Sequence, residues 1–206
     1  MLMGIYRDIV TYVNRNVFLS NFLLLPAMFY CLMGIRHIKK WDIEPTQALT
    51  RYLWMWYFML FLIIIVFCFS MLYHSTMYDR DSPILQIIAK LDHLVTAPLM
   101  SLVLVILWLI YIVFVNKRQK MNCPLNDISL EVFGAASLYL VFTFFYYLIK
   151  KYRHKGYKNK GILKKVIYLV GHTFFHYIGH TGITLLTLVY LLDNRNIYET
   201  FFLKKC

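Results

Sequence analysis

Residues 52–78 read YLWMWYFMLFLIIIVFCFSMLYHSTMY, 27 positions without Asp, Glu, Lys or Arg. At 1.5 Å rise per residue, roughly 20 such positions cross the roughly 30 Å hydrocarbon core of a bilayer. Lipid offers backbone N–H and C=O groups no water to bond, so the segment must satisfy them internally, as a helix. Four further charge-free runs lie at 16–35, 93–116, 132–149 and 166–192, of 20, 24, 18 and 27 residues. The expected fold class is all-α, a polytopic transmembrane helix bundle of about five spans. Approximate placements are 17–35, 52–74, 84–115, 129–149 and 166–192. With no internal repeat and no low-complexity linker, 1–206 reads as a single integral membrane domain.

Composition agrees. Of 206 residues, 60% are hydrophobic and 16% charged, against about 45–50% and about 25% in soluble domains. Disorder, collagen-like repeats and a small disulfide scaffold are excluded. The 22 Lys and Arg against 10 Asp and Glu give a net charge of +12. The cations sit mainly in the connections, where they meet lipid headgroups, so no nucleic-acid partner is expected. Eight of them fall in one connection, at positions 150, 151, 153, 155, 158, 160, 164 and 165. Alternating crossings put 11 cations on the side holding that connection and 10 on the other, with Lys90 set aside as lying within a span. The positive-inside count is nearly tied, with the basic connection leaning towards the cytosol.

The first apolar run exceeds a signal-peptide core of about 7–15 residues and reads as a retained span, with Pro26 for neighbouring helices to accommodate. Residues 1–16 form a mildly amphipathic lead. The four cysteines, Cys31, Cys68, Cys123 and Cys206, have no paired spacing and point to no redox compartment. Cys31 and Cys68 fall in expected spans and read as packing.

Ionisable groups inside spans cost several kcal/mol on insertion scales, about 2.5–3.5 for a central Asp, so each calls for a reason. They concentrate in three places: Ser70 to His74 late in the second span, Asp92 with His93 early in the third, and His172, His176 and His180 early in the last. Alternating crossings bring all three to one membrane side. Residues four apart share a helix face, so Ser70 projects with His74, and His172 with His176. Three histidines from two helices, with an aspartate and a hydroxyl near, suit a zinc ion with three protein ligands and water in the fourth position. His180 continues the face one turn deeper, either fixing a ligand tautomer or packing. His37 and His93 have no spaced partner and read as interfacial or backbone-bonded.

These residues resemble those of a superfamily of membrane hydrolases and receptors that includes alkaline ceramidases, progestin and adipoQ receptors, hemolysin III proteins and myomaker-like proteins. Its signature is S-x-x-x-H late in the second span, Asp early in the third and H-x-x-x-H early in the last. Leu72-Tyr73-His74-Ser75 and Leu91-Asp92-His93, with 18 residues from His74 to Asp92, look like the hemolysin III and adipoQ receptor branch. His172-Thr173-Phe174-Phe175-His176, followed by Gly182, looks like the ceramidase H-x-W-W-H run with its downstream glycine. The resemblance organises about 52–192. The family usually has seven spans. Loss of one pair between the third and last spans preserves sidedness, since two helices return the chain to the same face.

The resemblance implies a zinc-dependent intramembrane hydrolase, ceramidase-like, acting on the amide or ester of a membrane lipid. Zn2+ is expected on His74, His172 and His176, with Asp92 as general base and Ser70 donating to the oxyanion. The alternative is a non-enzymatic adipoQ receptor-like or hemolysin III-like membrane protein with a structural zinc. No further Cys or acidic residue is placed to close the site, which favours bound water. Ion or proton transport would want polar residues through the membrane depth, and spans one and four offer few.

Overall fold

The computed structural model describes residues 11–12, 15–75, 83–91, 97–154 and 162–206. These form helices α1 (Leu24–Lys39), α2 (Gln47–Ser75), α3 (Pro83–Leu91), α4 (Ala97–Lys120), α5 (Asp127–His154), α6 (Ile162–Leu192) and α7 (Asn194–Tyr198). Among the described residues five helical segments are long and apolar enough to cross a membrane: Arg15–Lys39, Gln47–Ser75, Pro98–Lys120, Asp127–Phe145 and Val170–Leu192. The chain is an all-α, multi-pass integral membrane protein.

Local chemistry sets the boundaries. The first span passes through a 3-10 turn at Asn21–Leu23. Pro26, four residues past Phe22, has no N–H to donate back to that carbonyl. Side chains hold the turn instead: Ser20 Oγ donates to Val17 O at 2.6 Å, and Asn21 Nδ2 to Phe18 O at 3.1 Å. Helix α2 starts at 47, five residues before the expected 52. Thr46 Oγ1 accepts from Leu49 N at 3.2 Å, an N-terminal cap.

The expected third span, 84–115, is described in two parts. Pro83–Leu91 and Ala97–Lys120 are helical, Pro98–Lys120 is long and apolar enough to cross a membrane, and 92–96 lie outside the described residues. Helix α4 ends with Asn122 left-handed at φ 54°. Asn122 N donates to Gln119 O at 3.1 Å and Cys123 N to Arg118 O at 3.0 Å, a Schellman motif closed by Pro124. Asn126 Oδ1 then accepts from Ser129 N at 3.3 Å and caps α5.

Helix α6 is the hub, packing against α1, α4 and α5. Its crossing segment is 56% buried, against 17–39% for the others. Helix α2 buries one seam: Tyr52, Trp56, Met59, Ile63, Val66, Ser70 and His74. The steps of three and four keep these residues on one stripe. The opposite faces carry exposed Phe29, Trp54, Phe58, Phe61, Leu138 and Phe142, as lipid contact requires.

At the end of α6 remote from its histidines, polar groups clamp the bundle. Asn194 Oδ1 accepts from Tyr52 OH at 2.7 Å and Trp56 Nε1 at 3.1 Å, while its amide donates to Gly34 O at 3.3 Å. Tyr111 OH donates to Asp193 Oδ2 at 2.6 Å. Asp193 and Asn194, 1% and 3% exposed, thereby tie α1, α2 and α4 to the end of α6. The cysteine reading also needs correction at this end. Cys123 and Cys206 form a disulfide. Cys31 stays free and buried, and Cys68 is free but exposed on the outer face of α2 rather than packed inside.

Candidate metal centre

The buried seams of α2 and α6 converge at their histidine ends. On α2 the last two seam residues are Ser70 and His74, 0% and 2% exposed; on α6, His172, His176 and His180 are 8%, 4% and 0% exposed. Successive four-residue steps on α6 align its three rings on one stripe. The ring of His74 lies 5.6 Å from that of His172 and 4.9 Å from that of His176, and the latter two are 4.7 Å apart, centroid to centroid.

Each of His74, His172 and His176 offers one ring nitrogen, and the three nitrogens lie within 4.8 Å of one another. Tetrahedral zinc with Zn–N of about 2.0–2.1 Å needs ligand nitrogens about 3.4 Å apart. Ring movements of the order of 1 Å close that gap. The donor set therefore fits a divalent transition metal: neutral imidazoles suit such ions, and burial excludes competing water. These three buried histidines could hold a metal ion.

Ser70 Oγ is buried and has no hydrogen-bond partner among the described residues. His180 Nδ1 lies 3.0 Å from Ser20 O. A carbonyl only accepts, so Nδ1 carries the proton and Nε2 is the bare nitrogen. Nε2 is buried without a hydrogen-bond partner among the described residues, while the ring meets His176 edge-on at 5.3 Å. His180 thus ties the last span to the first and stands against a candidate ligand.

Asp92 and His93 lie outside the described residues. His37 is exposed near the end of α1, remote from the cluster.

A second stripe of α6, about 100° round the helix, faces a cavity. Thr173, Tyr177 and Thr181 line it with Tyr12, Asn16 and Tyr139, around a volume of about 730 Å³. That is within the roughly 300–1,000 Å³ usual for ligand pockets. Its polar groups are hydroxyls and one amide. Nothing in the sequence singles these residues out, since Thr and Tyr at helical spacing are ordinary in membrane spans.

Comparisons of the chain with family models, curated proteins and solved structures find no match.

Proposed function

We propose that the chain is a zinc-dependent intramembrane hydrolase of a lipid amide or ester, similar in its site to the alkaline ceramidases. The observation that carries the reading is the convergence of His74, His172 and His176, with ligand nitrogens within 4.8 Å in a buried pocket. Those three residues would hold the ion. Bound zinc lowers the pKa of water towards about 7 and polarises a carbonyl.

The chain's own groups do the rest. Asp92 takes the proton from the attacking water and returns it to the leaving group. Ser70 Oγ–H donates to the oxygen that gains charge in the transition state, the interaction that most lowers such barriers. Its buried, unpaired hydroxyl supports that role, because it donates to nothing else among the described residues. Thr173, Tyr177 and Thr181 offer hydroxyls to an uncharged polar lipid beside the cluster.

Metal analysis joined to a lipid-hydrolysis screen tests this. Purified protein should carry about one zinc per chain, and the double variant His172→Ala, His176→Ala should lose it. Asp92→Asn should keep the metal and lose hydrolysis of fluorescent N-acyl or O-acyl lipids. Wild type without metal would sink the site. Metal with no hydrolysis of any lipid amide or ester would instead select the non-enzymatic reading with a structural zinc.

A further inference from the structure

Cys123 and Cys206 lie 83 residues apart in sequence but bond to each other, with Cα atoms 5.5 Å apart. That separation is usual for a disulfide, about 4.4–6.8 Å. The backbone leads both residues to the meeting point. The turn at Asn122 carries Cys123 off α4. Beyond α7 a π-helical turn spans Glu199–Leu203, and Lys204 at φ 51° reverses the tail, with Lys205 N donating to Glu199 O at 3.1 Å. Polar contacts hold the same two segments together: Lys117 Nζ donates to Thr200 O at 2.7 Å and Arg118 Nη1 to Thr200 Oγ1 at 3.5 Å, while Arg118 Nη2 donates to Pro124 O at 2.9 Å within its own turn.

This end is remote from the histidines. His172 lies near the start of α6 and Asp193 just past its end. At 1.5 Å per residue the two are about 30 Å apart, the thickness of the hydrocarbon core. Disulfides persist in lumenal, extracellular and periplasmic space, and are rare where glutathione and thioredoxin keep thiols reduced.

We propose that the Cys123–Cys206 end of the protein faces an oxidising compartment and that the histidine cluster therefore lies at the cytosolic leaflet. The cation count of 11 against 10 left the orientation open. On the disulfide side, however, the cations are spread over three segments, and several of them pair with neighbouring groups. Lys39 stands over the Tyr57 ring at 5.8 Å, Arg195 pairs with Glu199 at 2.8 Å, Arg118 is 2% exposed, and Lys117 holds the tail. The opposite side concentrates eight cations between 150 and 165, the pattern of a cytoplasmic connection. Two independent asymmetries agree. Chemistry at the histidines then draws on lipids of the cytosolic leaflet, and any water-soluble product leaves into the cytosol.

Thiol mapping in sealed vesicles with the cytosolic face outward tests the orientation, in a background of Cys31→Ala and Cys68→Ala. Protein denatured and alkylated before reduction should take up no label, and two labels after reduction. With Cys123→Ser added, Cys206 should react with a membrane-impermeant maleimide only once the vesicles are opened. With both Cys123→Ser and Cys206→Ser, a single Lys158→Cys reporter should react on intact vesicles. Free thiols at 123 and 206 in untreated protein, or a protected Lys158→Cys reporter, would overturn the proposal. Neither result depends on metal content or hydrolysis, so the functional reading stands or falls separately.

Discussion

Ser70 and Ser129 differ from the other buried or half-buried hydroxyl residues named here in donating to nothing among the described residues, and of the two Ser70 stands one turn before His74. Ser137, Thr143 and Thr187 each donate to the carbonyl four residues back, at 2.8, 2.8 and 2.7 Å, the usual way a hydroxyl is satisfied within a helix. Ser70 Oγ makes no such bond, although it is 0% exposed. An unsatisfied buried hydroxyl costs about 1–3 kcal/mol, and Ser70 carries that cost beside the histidines. Ser70→Ala should therefore leave the melting temperature unchanged or raised and the zinc content intact. Hydrolysis should fall about 100- to 1,000-fold, the usual loss when one oxyanion donor is removed. Thermal unfolding, metal analysis and kcat on a lipid amide read the three effects. Unchanged kcat would remove Ser70 from the mechanism.

Helices α1 and α2 approach closely through Gly34, where an added Cβ would meet the Trp56 ring at 2.6 Å. The indole is held from behind by Asn194 Oδ1 at 3.1 Å and is fully buried, so it has nowhere to swing. Gly179, between α6 and α4, looks similar: its Cβ would meet Met100 Cε at 2.7 Å. That atom ends a flexible side chain with three rotatable bonds, which can step aside. Gly34→Ala should therefore destabilise by about 1–3 kcal/mol, as overpacking does, and Gly179→Ala by clearly less. Equal losses in detergent-solubilised unfolding would contradict the packing described. Charge-free runs located the spans because an unpaired charge in lipid is costly, and the seam from Tyr52 to His74 follows from helical spacing. Boundaries were less legible. They are fixed by Thr46, Asn122 and Asn126, whose side chains or backbone cap helices, whereas charge patterning marks only the nearest ionised residue. Asp193 and Asn194 looked like tail residues for the same reason, and their partners Tyr111, Tyr52 and Trp56 come from spans far away in sequence. The histidine pairing was legible because i, i+4 spacing on α6 and crossing parity place the rings without tertiary detail.

The two ends of the molecule are held by different means, and this decides what the disulfide contributes. At the far end Asn194, Asp193, Arg118 and the Cys123–Cys206 bond lock four crossings together. At the histidine end His180 ties the last span to the first through Ser20 O. A free chain closed into a loop by a disulfide across 83 residues would gain about 4.5 kcal/mol in the chain-entropy account. Here the unfolded reference is different. In a bilayer the spans stay inserted as helices when their packing is lost, and α5 and α6 between the cysteines form an even number of crossings. They return the chain to the same membrane face unaided, so most of the closure entropy has already been lost before the bond forms. Reduction, or Cys123→Ser, should thus lower unfolding free energy in bilayers by less than half of that figure, about 2 kcal/mol at most. The loss should grow in a denaturing detergent that releases the helices. In bilayers, any metal held by the histidines should be unaffected, because the bond lies about 30 Å from them. A full loss of about 4–5 kcal/mol in bilayers would mean that α5 or α6 leaves the membrane on unfolding.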